Sequence, residues 1–98
     1  MKSNYTMPLN RKVTFQSVLE GCNKVQVPKL IRLRFKMESD QVFKVSVIAL
    51  NLGRGVQFFY AKMGNDGRIR IPKVALLIMQ GEKPSLAGYI MEVMLEPA

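Results

Sequence analysis

The sequence predicts an all-β fold with one or two short helical turns, in which six strands close into a barrel with internal pseudo-two-fold symmetry. Two observations lead to this prediction. The segment Lys24–Lys29 (KVQVPK) recurs as Arg68–Lys73 (RIRIPK), and both copies read basic, β-branched, polar, β-branched, Pro, Lys. Short stretches with the two-residue period of β-strands also take equivalent places around the two copies. Each repeat alone is too short to enclose a hydrophobic core, so we expect the two repeats to share one.

The first repeat covers residues 13–50. Alternation of apolar and polar residues predicts three strands in it, over residues 13–19, 24–27 and 42–50. Pro28 ends the second strand, because proline has no backbone N–H to donate. Lys29–Met37 is compatible with two structures. Its alternating apolar residues slightly favour an extended chain, whereas Pro28 could also begin a short helix.

The second repeat covers residues 56–95 and follows a flexible joint over residues 51–55. It repeats the plan, with strands predicted over residues 56–63, 68–71 and 89–95. Gly64–Gly67 (GNDG) predicts a hairpin turn, since Asn and Gly tolerate the positive φ that such turns need. Pro72–Gln80 is almost wholly apolar beyond Lys73, so we expect it to be buried as either helix or strand.

The aromatic run Phe58-Phe59-Tyr60 lies in the fourth predicted strand. Consecutive residues of a strand point to opposite faces, so at most two of these rings share a surface. We expect the run to pack in the core. The alternative is a stacking platform for single-stranded nucleic acid.

The flanks of the repeats indicate a single domain over residues 13–98, preceded by a polar, flexible arm over residues 1–12. The arm lacks the apolar block of a secretory signal, and no stretch approaches the apolar length that spans a bilayer. The single cysteine, Cys22, cannot close a disulfide within the chain. We therefore expect a cytoplasmic protein without a membrane role.

The charge is strongly basic. Fifteen Lys and Arg against seven Asp and Glu give a formal net charge of +8. A field of this sign attracts nucleic acid and other anionic surfaces. The alternative is that the lysines have no binding role and only keep a small barrel soluble.

The segment Lys62–Lys73 (KMGNDGRIRIPK) resembles the AbrB-like, swapped-hairpin family of DNA-binding proteins. The shared pattern is a turn, then Gly-Arg, then an alternating β-branched stretch that ends in Ile-Pro-Lys. The first copy is a weaker form, with Asn23 in place of the glycine. In that family two short chains interlace into one barrel. With both halves on one polypeptide, this chain is similar to the cradle-loop barrels, and closest to the RIFT-type barrel of small archaeal proteins. The resemblance implies a monomer, because the repeat replaces a dimer.

The resemblance also implies a function. Arg68 matches the arginine that contacts DNA in the transcription factors, and Lys29 and Lys73 match the basic residue after the proline. The second copy has Leu76 to Ile78 where the first has Arg32 and Arg34, so the two surfaces would be unequal. Adding the basic residues of both strands, the predicted nucleic-acid site consists of Lys24, Lys29, Arg32, Arg34, Arg68, Arg70 and Lys73.

Two functions follow from these residues. The preferred interpretation is a small DNA-binding protein, a transcriptional regulator or chromosomal protein that holds duplex phosphates on its basic face. The rival is a structural or protein-interaction module that docks on an acidic partner. Enzyme function, a cofactor and a metal site are not expected. The chain has no histidine and only one cysteine, and its acidic residues are scattered through turns and the last strand.

Overall fold

The computed structural model describes residues 11–39, 41–52 and 55–98. The order strand, strand, helix, strand occurs twice, as β1 (Val13–Val18), β2 (Lys24–Gln26), α1 (Lys29–Arg34), β3 (Val42–Ala49), then β4 (Gln57–Lys62), β5 (Arg68–Arg70), α2 (Lys73–Gln80), β6 (Ile90–Pro97). All six strands lie where alternation predicted them, to within two residues at each end. Most of the predicted arm and two residues of the predicted joint lie outside the described residues.

The described residues form two sheets. β1, β6, β3 and β4 make a four-stranded antiparallel sheet in that order, and β2 and β5 make a separate antiparallel ladder. β6 pairs with β1 on one side and with β3 on the other. In the ladder, Val25 lies opposite Ile69. Strands of the first half therefore pair with strands of the second half in both sheets.

The predicted closed barrel is wrong. Among the described residues, β1 and β4 end the four-stranded sheet as its edges, and neither continues into the β2–β5 ladder. The ladder strands have only three residues each, and Pro28 and Pro72 follow shortly after them without a donor for further pairing. Where β2 approaches β1, the backbone N–H of Gln26 donates to the Ser17 hydroxyl at 3.1 Å instead of to a strand carbonyl. The Ser17 side chain thus accepts the Gln26 N–H, which in a closed barrel would donate to a backbone carbonyl of β1.

Both ambiguous segments contain helices, so the slight preference for an extended Lys29–Met37 is wrong. Each helix begins directly after a proline, whose carbonyl accepts the first helical hydrogen bond, from Arg32 in α1 and from Leu76 in α2. A proline before the first turn loses nothing, since its missing N–H would have no partner there. In the described part of the chain, neither helix has the length and apolar character needed to cross a bilayer.

One hydrophobic core joins the two sheets and α2. Val25 and Val27 of the first half and Ile69 and Ile71 of the second are all at most 1% exposed and belong to a single cluster. Strands β3 and β6 line the same cluster, and α2 adds Ala75, Leu76 and Met79. The outward residues of the β2–β5 ladder are therefore held in place, because their neighbours in sequence are buried in the core.

Candidate nucleic-acid interface

The β2–β5 ladder presents a polar face that contains basic residues of both halves. Val25 and Ile69 point into the core, so the residues on either side of each point outwards. Lys24 lies opposite Arg70, and Gln26 lies opposite Arg68. Like charges directly opposite each other repel and destabilise a strand pair. The Lys24–Arg70 pair therefore concentrates positive charge where a bound anion would relieve the repulsion.

Arg68 is held by two acids that stand beside it. Its Nε donates to Glu20 Oε1 at 2.7 Å, and its Nη1 lies 3.4 Å from Asp66 Oδ2. The hydrogen bond to Glu20, more than any other contact, raises the pKa of Arg68. The pKa of Asp66 is lowered, chiefly because its carboxylate accepts the backbone N–H of Arg68 at 3.1 Å. The Arg68 guanidinium is thus fixed in orientation, and the two carboxylates partly neutralise its positive charge.

The turns before the two ladder strands are tied to the opposite strand. The backbone N–H of Val27 donates to the Gly67 carbonyl, and that of Ile71 donates to the Asn23 carbonyl, both at 2.8 Å. Asn23 has φ of 65° and Gly67 has φ of 80°. This left-handed conformation is the reason that Asn and Gly stand at the two equivalent positions, since both tolerate it.

Arg32 of α1 reaches across to the turn of the second half. Its Nε donates to the Val27 carbonyl at 3.2 Å, and its guanidinium lies over Gly67. Gly67 has no side chain, and this leaves the space that the guanidinium fills. At the equivalent place in the second half, Leu76 is buried and lines a cavity of about 120 Å³ together with Asn23. The two halves therefore differ at the position where the sequence predicted unequal surfaces.

The other predicted site residues lie on the helices. Lys29 and Lys73 are the first residues of α1 and α2, and both are exposed. Arg34 ends α1, is exposed, and has its Cζ 5.7 Å from the Phe35 ring centroid. The structure thus unites Lys24, Arg68 and Arg70 on one ladder and brings Arg32 to its edge. Lys29, Arg34 and Lys73 stand on the adjoining helices.

Sequence reasoning missed the ion pairs of Arg68. Glu20 is far from Arg68 along the chain, and only the pairing of β2 with β5 brings the two together. Asp66 offered a nearer signal, because a carboxylate two residues before Arg68 in a turn can accept its backbone N–H.

A second exposed surface lies on the outer face of β3 and β4, and we call Lys44, Phe58, Tyr60 and Lys62 the aromatic–lysine surface. Phe58 and Tyr60 are 65% and 67% exposed, so the expectation that the aromatic run packs in the core is wrong for two of the three residues. Only Phe59 packs against the core. Lys62 continues the alternation of Phe58 and Tyr60, and this was the overlooked signal for a solvent face.

A third feature is that both helices carry exposed apolar side chains. Leu30 and Leu33 of α1 are 80% and 63% exposed, and Val74, Leu77 and Ile78 of α2 are between 52% and 64% exposed. The expectation of a wholly buried Pro72–Gln80 therefore holds for only one face of α2. We call these five residues the apolar helix surface.

Metal-binding residues do not gather anywhere in the described ranges: no group of three or more His, Cys, Asp or Glu could hold an ion there. Cys22 is exposed, with its Sγ 3.9 Å from Glu20 Oε1.

Comparison with known proteins bears on the fold. No protein-family model and no curated protein matches the sequence. The chain is similar in fold to PHS018 from Pyrococcus horikoshii. The solution structure of PHS018 matches with a TM-score of 0.72, covering 93% of this chain and 94% of that chain at 19% sequence identity. At this identity, the likeness to PHS018 shows the fold alone.

Proposed function

We propose that this protein binds duplex DNA through the outward face of the β2–β5 ladder, as a small cytoplasmic regulator or chromosomal protein. The observation that carries the proposal is the cross-strand pair of Lys24 with Arg70. It joins a basic residue of each half on one rigid face. The net charge of +8 acts in the same direction, because it draws the polyanion to the protein from a distance.

The residues divide into two roles in this proposal. Lys24 and Arg70 contact phosphates directly, and Lys29, Lys73 and Arg34 extend the footprint along the helices. Arg68 and Arg32 are already engaged with Glu20, Asp66 and Val27, so they order the face and add less charge. The AbrB-like motif around Arg68 remains part of the proposal, as does a monomeric protein.

A salt series with two matched variants tests the proposal. Binding of a fluorescent mixed-sequence duplex should weaken steeply between about 50 and 200 mM salt. In a plot of log K against log salt concentration, the slope should become less negative by about 0.9 for each phosphate contact removed. Lys24→Ala and Arg70→Ala should each lower the duplex affinity and make the slope less negative by about 0.9, the contribution of one phosphate contact. Anisotropy of the labelled duplex measures both quantities.

Lys83→Ala is the control, because it removes one positive charge from an exposed loop that follows α2. We expect it to leave the slope nearly unchanged. Duplex affinity that stays flat across the salt range, or an equal loss for Lys83→Ala and Lys24→Ala, would rule the proposal out.

A second candidate function is protein docking, and the apolar helix surface favours it. Val74, Leu77 and Ile78 share one exposed face of α2, and exposed apolar faces of this kind mark interaction sites; Leu30 and Leu33 expose a smaller apolar face on α1. The basic residues beside them, Lys29, Arg34 and Lys73, would then meet an acidic partner. The salt series separates the two functions, since this candidate predicts no salt-dependent binding of duplex.

A further inference from the structure

The aromatic–lysine surface lies on an edge strand. β4 is the last strand of the four-stranded sheet, paired on one side with β3. Its residues alternate in exposure, so Phe58, Tyr60 and Lys62 face solvent while Phe59 and Ala61 pack against the core. The two exposed rings are therefore held by a strand whose other face is anchored.

Lys44 completes the surface from the neighbouring strand. It lies opposite Tyr60 in the β3–β4 pairing, and its Nζ is 6.0 Å from the Phe58 ring centroid. Lys44, Phe58, Phe59 and Tyr60 line an open depression of about 390 Å³. The depression is large enough for an aromatic heterocycle, and it presents ring faces and an ammonium group to whatever enters it.

The chemistry of this surface fits a strand of nucleic acid with unpaired bases. Two residues along a strand are separated by roughly 7 Å, so Phe58 and Tyr60 offer two ring faces in succession. Lys44 and Lys62 stand beside them with charges that complement phosphates. Glu96 lies opposite Lys44 on β6 and lowers the local charge, so stacking must supply more of the affinity here than electrostatics.

We propose that the aromatic–lysine surface binds single-stranded nucleic acid by stacking unpaired bases on Phe58 and Tyr60, with Lys44 and Lys62 on the adjoining phosphates. Base–aromatic stacking tolerates any sequence, because every base has a π-face. Paired bases inside a duplex are already stacked and cannot offer these faces. The surface therefore selects the unpaired form, independently of the basic ladder.

Alanine variants measure the contribution of each ring. Binding of a fluorescent single-stranded oligonucleotide of thymidines should weaken roughly 5- to 150-fold for Phe58→Ala and for Tyr60→Ala, the range expected from loss of one stacked base. Tyr60→Phe should retain affinity, since it keeps the ring. Val18→Ala, which trims an exposed apolar residue on β1 at the opposite edge of the sheet, is the matched control and should change nothing.

A tryptophan variant reports the stacking itself. The chain has no Trp, so Phe58→Trp introduces a single indole at the surface. We expect it to keep oligonucleotide affinity and to lose fluorescence when the oligonucleotide is added. Quenching that is absent while the oligonucleotide binds would overturn the proposal, and so would full affinity in the Phe58→Ala, Tyr60→Ala double variant.

Two further outcomes separate this proposal from others. Loss of single-strand binding by Arg70→Ala but not by Phe58→Ala would assign both nucleic acids to the ladder and overturn it. Sedimentation velocity measures self-association. If the protein is a dimer that Phe58→Ala dissociates, and if the variant keeps its oligonucleotide affinity, this surface is a contact between two copies and the proposal is overturned. Single-strand binding that Phe58→Ala and Tyr60→Ala weaken would support the proposal even if duplex binding stayed flat across the salt series and the ladder failed its own test.

Discussion

At the scale of single residues, the backbone at Asn23 and Gly67 connects the two halves. The repeat itself placed Asn and Gly at equivalent positions, and both adopt positive φ before a ladder strand. Alternation likewise predicted that Arg68 and Arg70 face away from Ile69. The position of Arg32 could not be predicted, because its guanidinium lies over a turn of the other half. Local patterns fix which face a residue occupies, whereas contacts between the halves depend on the tertiary arrangement.

Gly67→Ala should destabilise the protein through two effects. A φ of 80° costs a residue with a Cβ about 1–2 kcal/mol. A Cβ at this position would also lie 2.5 Å from Arg32 Cζ, so the guanidinium must leave the Val27 carbonyl. Thermal unfolding followed by circular dichroism measures the total loss.

Gly88→Ala isolates the first effect, since Gly88 has φ of 89° and open space around it. We expect Gly67→Ala to cost more than Gly88→Ala, and Arg32→Ala to reduce the difference in the double variant, because contacting residues are not additive. Equal losses for the two glycine variants would mean that Arg32 moves aside freely.

At the scale of elements, the helices show where periodicity misleads. Ile31 of α1 and Phe35, which directly follows the helix, pack against the core one helical turn apart, but Leu30 and Leu33 are apolar and exposed. Leu33 belongs to the alternating series Ile31, Leu33, Phe35 and Met37 that favoured a strand, although the other three pack against the core. A pattern argument assumes that apolar residues are buried, so it fails where the protein exposes them. The strands, whose apolar residues mostly face the core, were predicted well for the same reason.

The two faces of α2 should respond differently to truncation. Met79 is fully buried, so Met79→Ala should cost about 2–5 kcal/mol of unfolding free energy. Leu77 is 52% exposed, and Leu77→Ala should cost no more than about 0.5 kcal/mol. Urea denaturation of the two variants gives both values.

Leu77→Ala that destabilised as strongly as Met79→Ala would show that something covers this face in solution. Repeating the denaturation at several protein concentrations would identify a second copy, because only association makes the midpoint depend on concentration.

At the scale of the whole molecule, the number of strands could be predicted and their closure could not. Hydrophobic alternation reports that a segment is a strand, but it carries no information about which strand lies beside it. Closure would have required β1 or β4 to bond along strands of three residues, and the Ser17 hydroxyl takes the Gln26 N–H instead. The repeat is compatible with the pairing of β2 with β5, because equivalent strands can meet about a shared axis, but it did not predict which strands pair.

The two halves should not fold separately. β1 and β3 of the first half both bond to β6 of the second, and the core contains residues of both. We expect chains of residues 1–52 and 53–98 to be unfolded alone by circular dichroism and amide NMR dispersion, and to recover the native spectrum when mixed. A folded spectrum for either fragment would show that one half can enclose a core.

The central position of β6 has a consequence during translation. The ribosome delivers β1 and β3 well before the strand that lies between them. Until then, each exposes unpaired backbone groups on that side and an apolar face, the features that promote aggregation of nascent chains. The four-stranded sheet can therefore form only after β6 has been synthesised. A chaperone that shields the unpaired residues of β1 and β3 would act before that point and not after it.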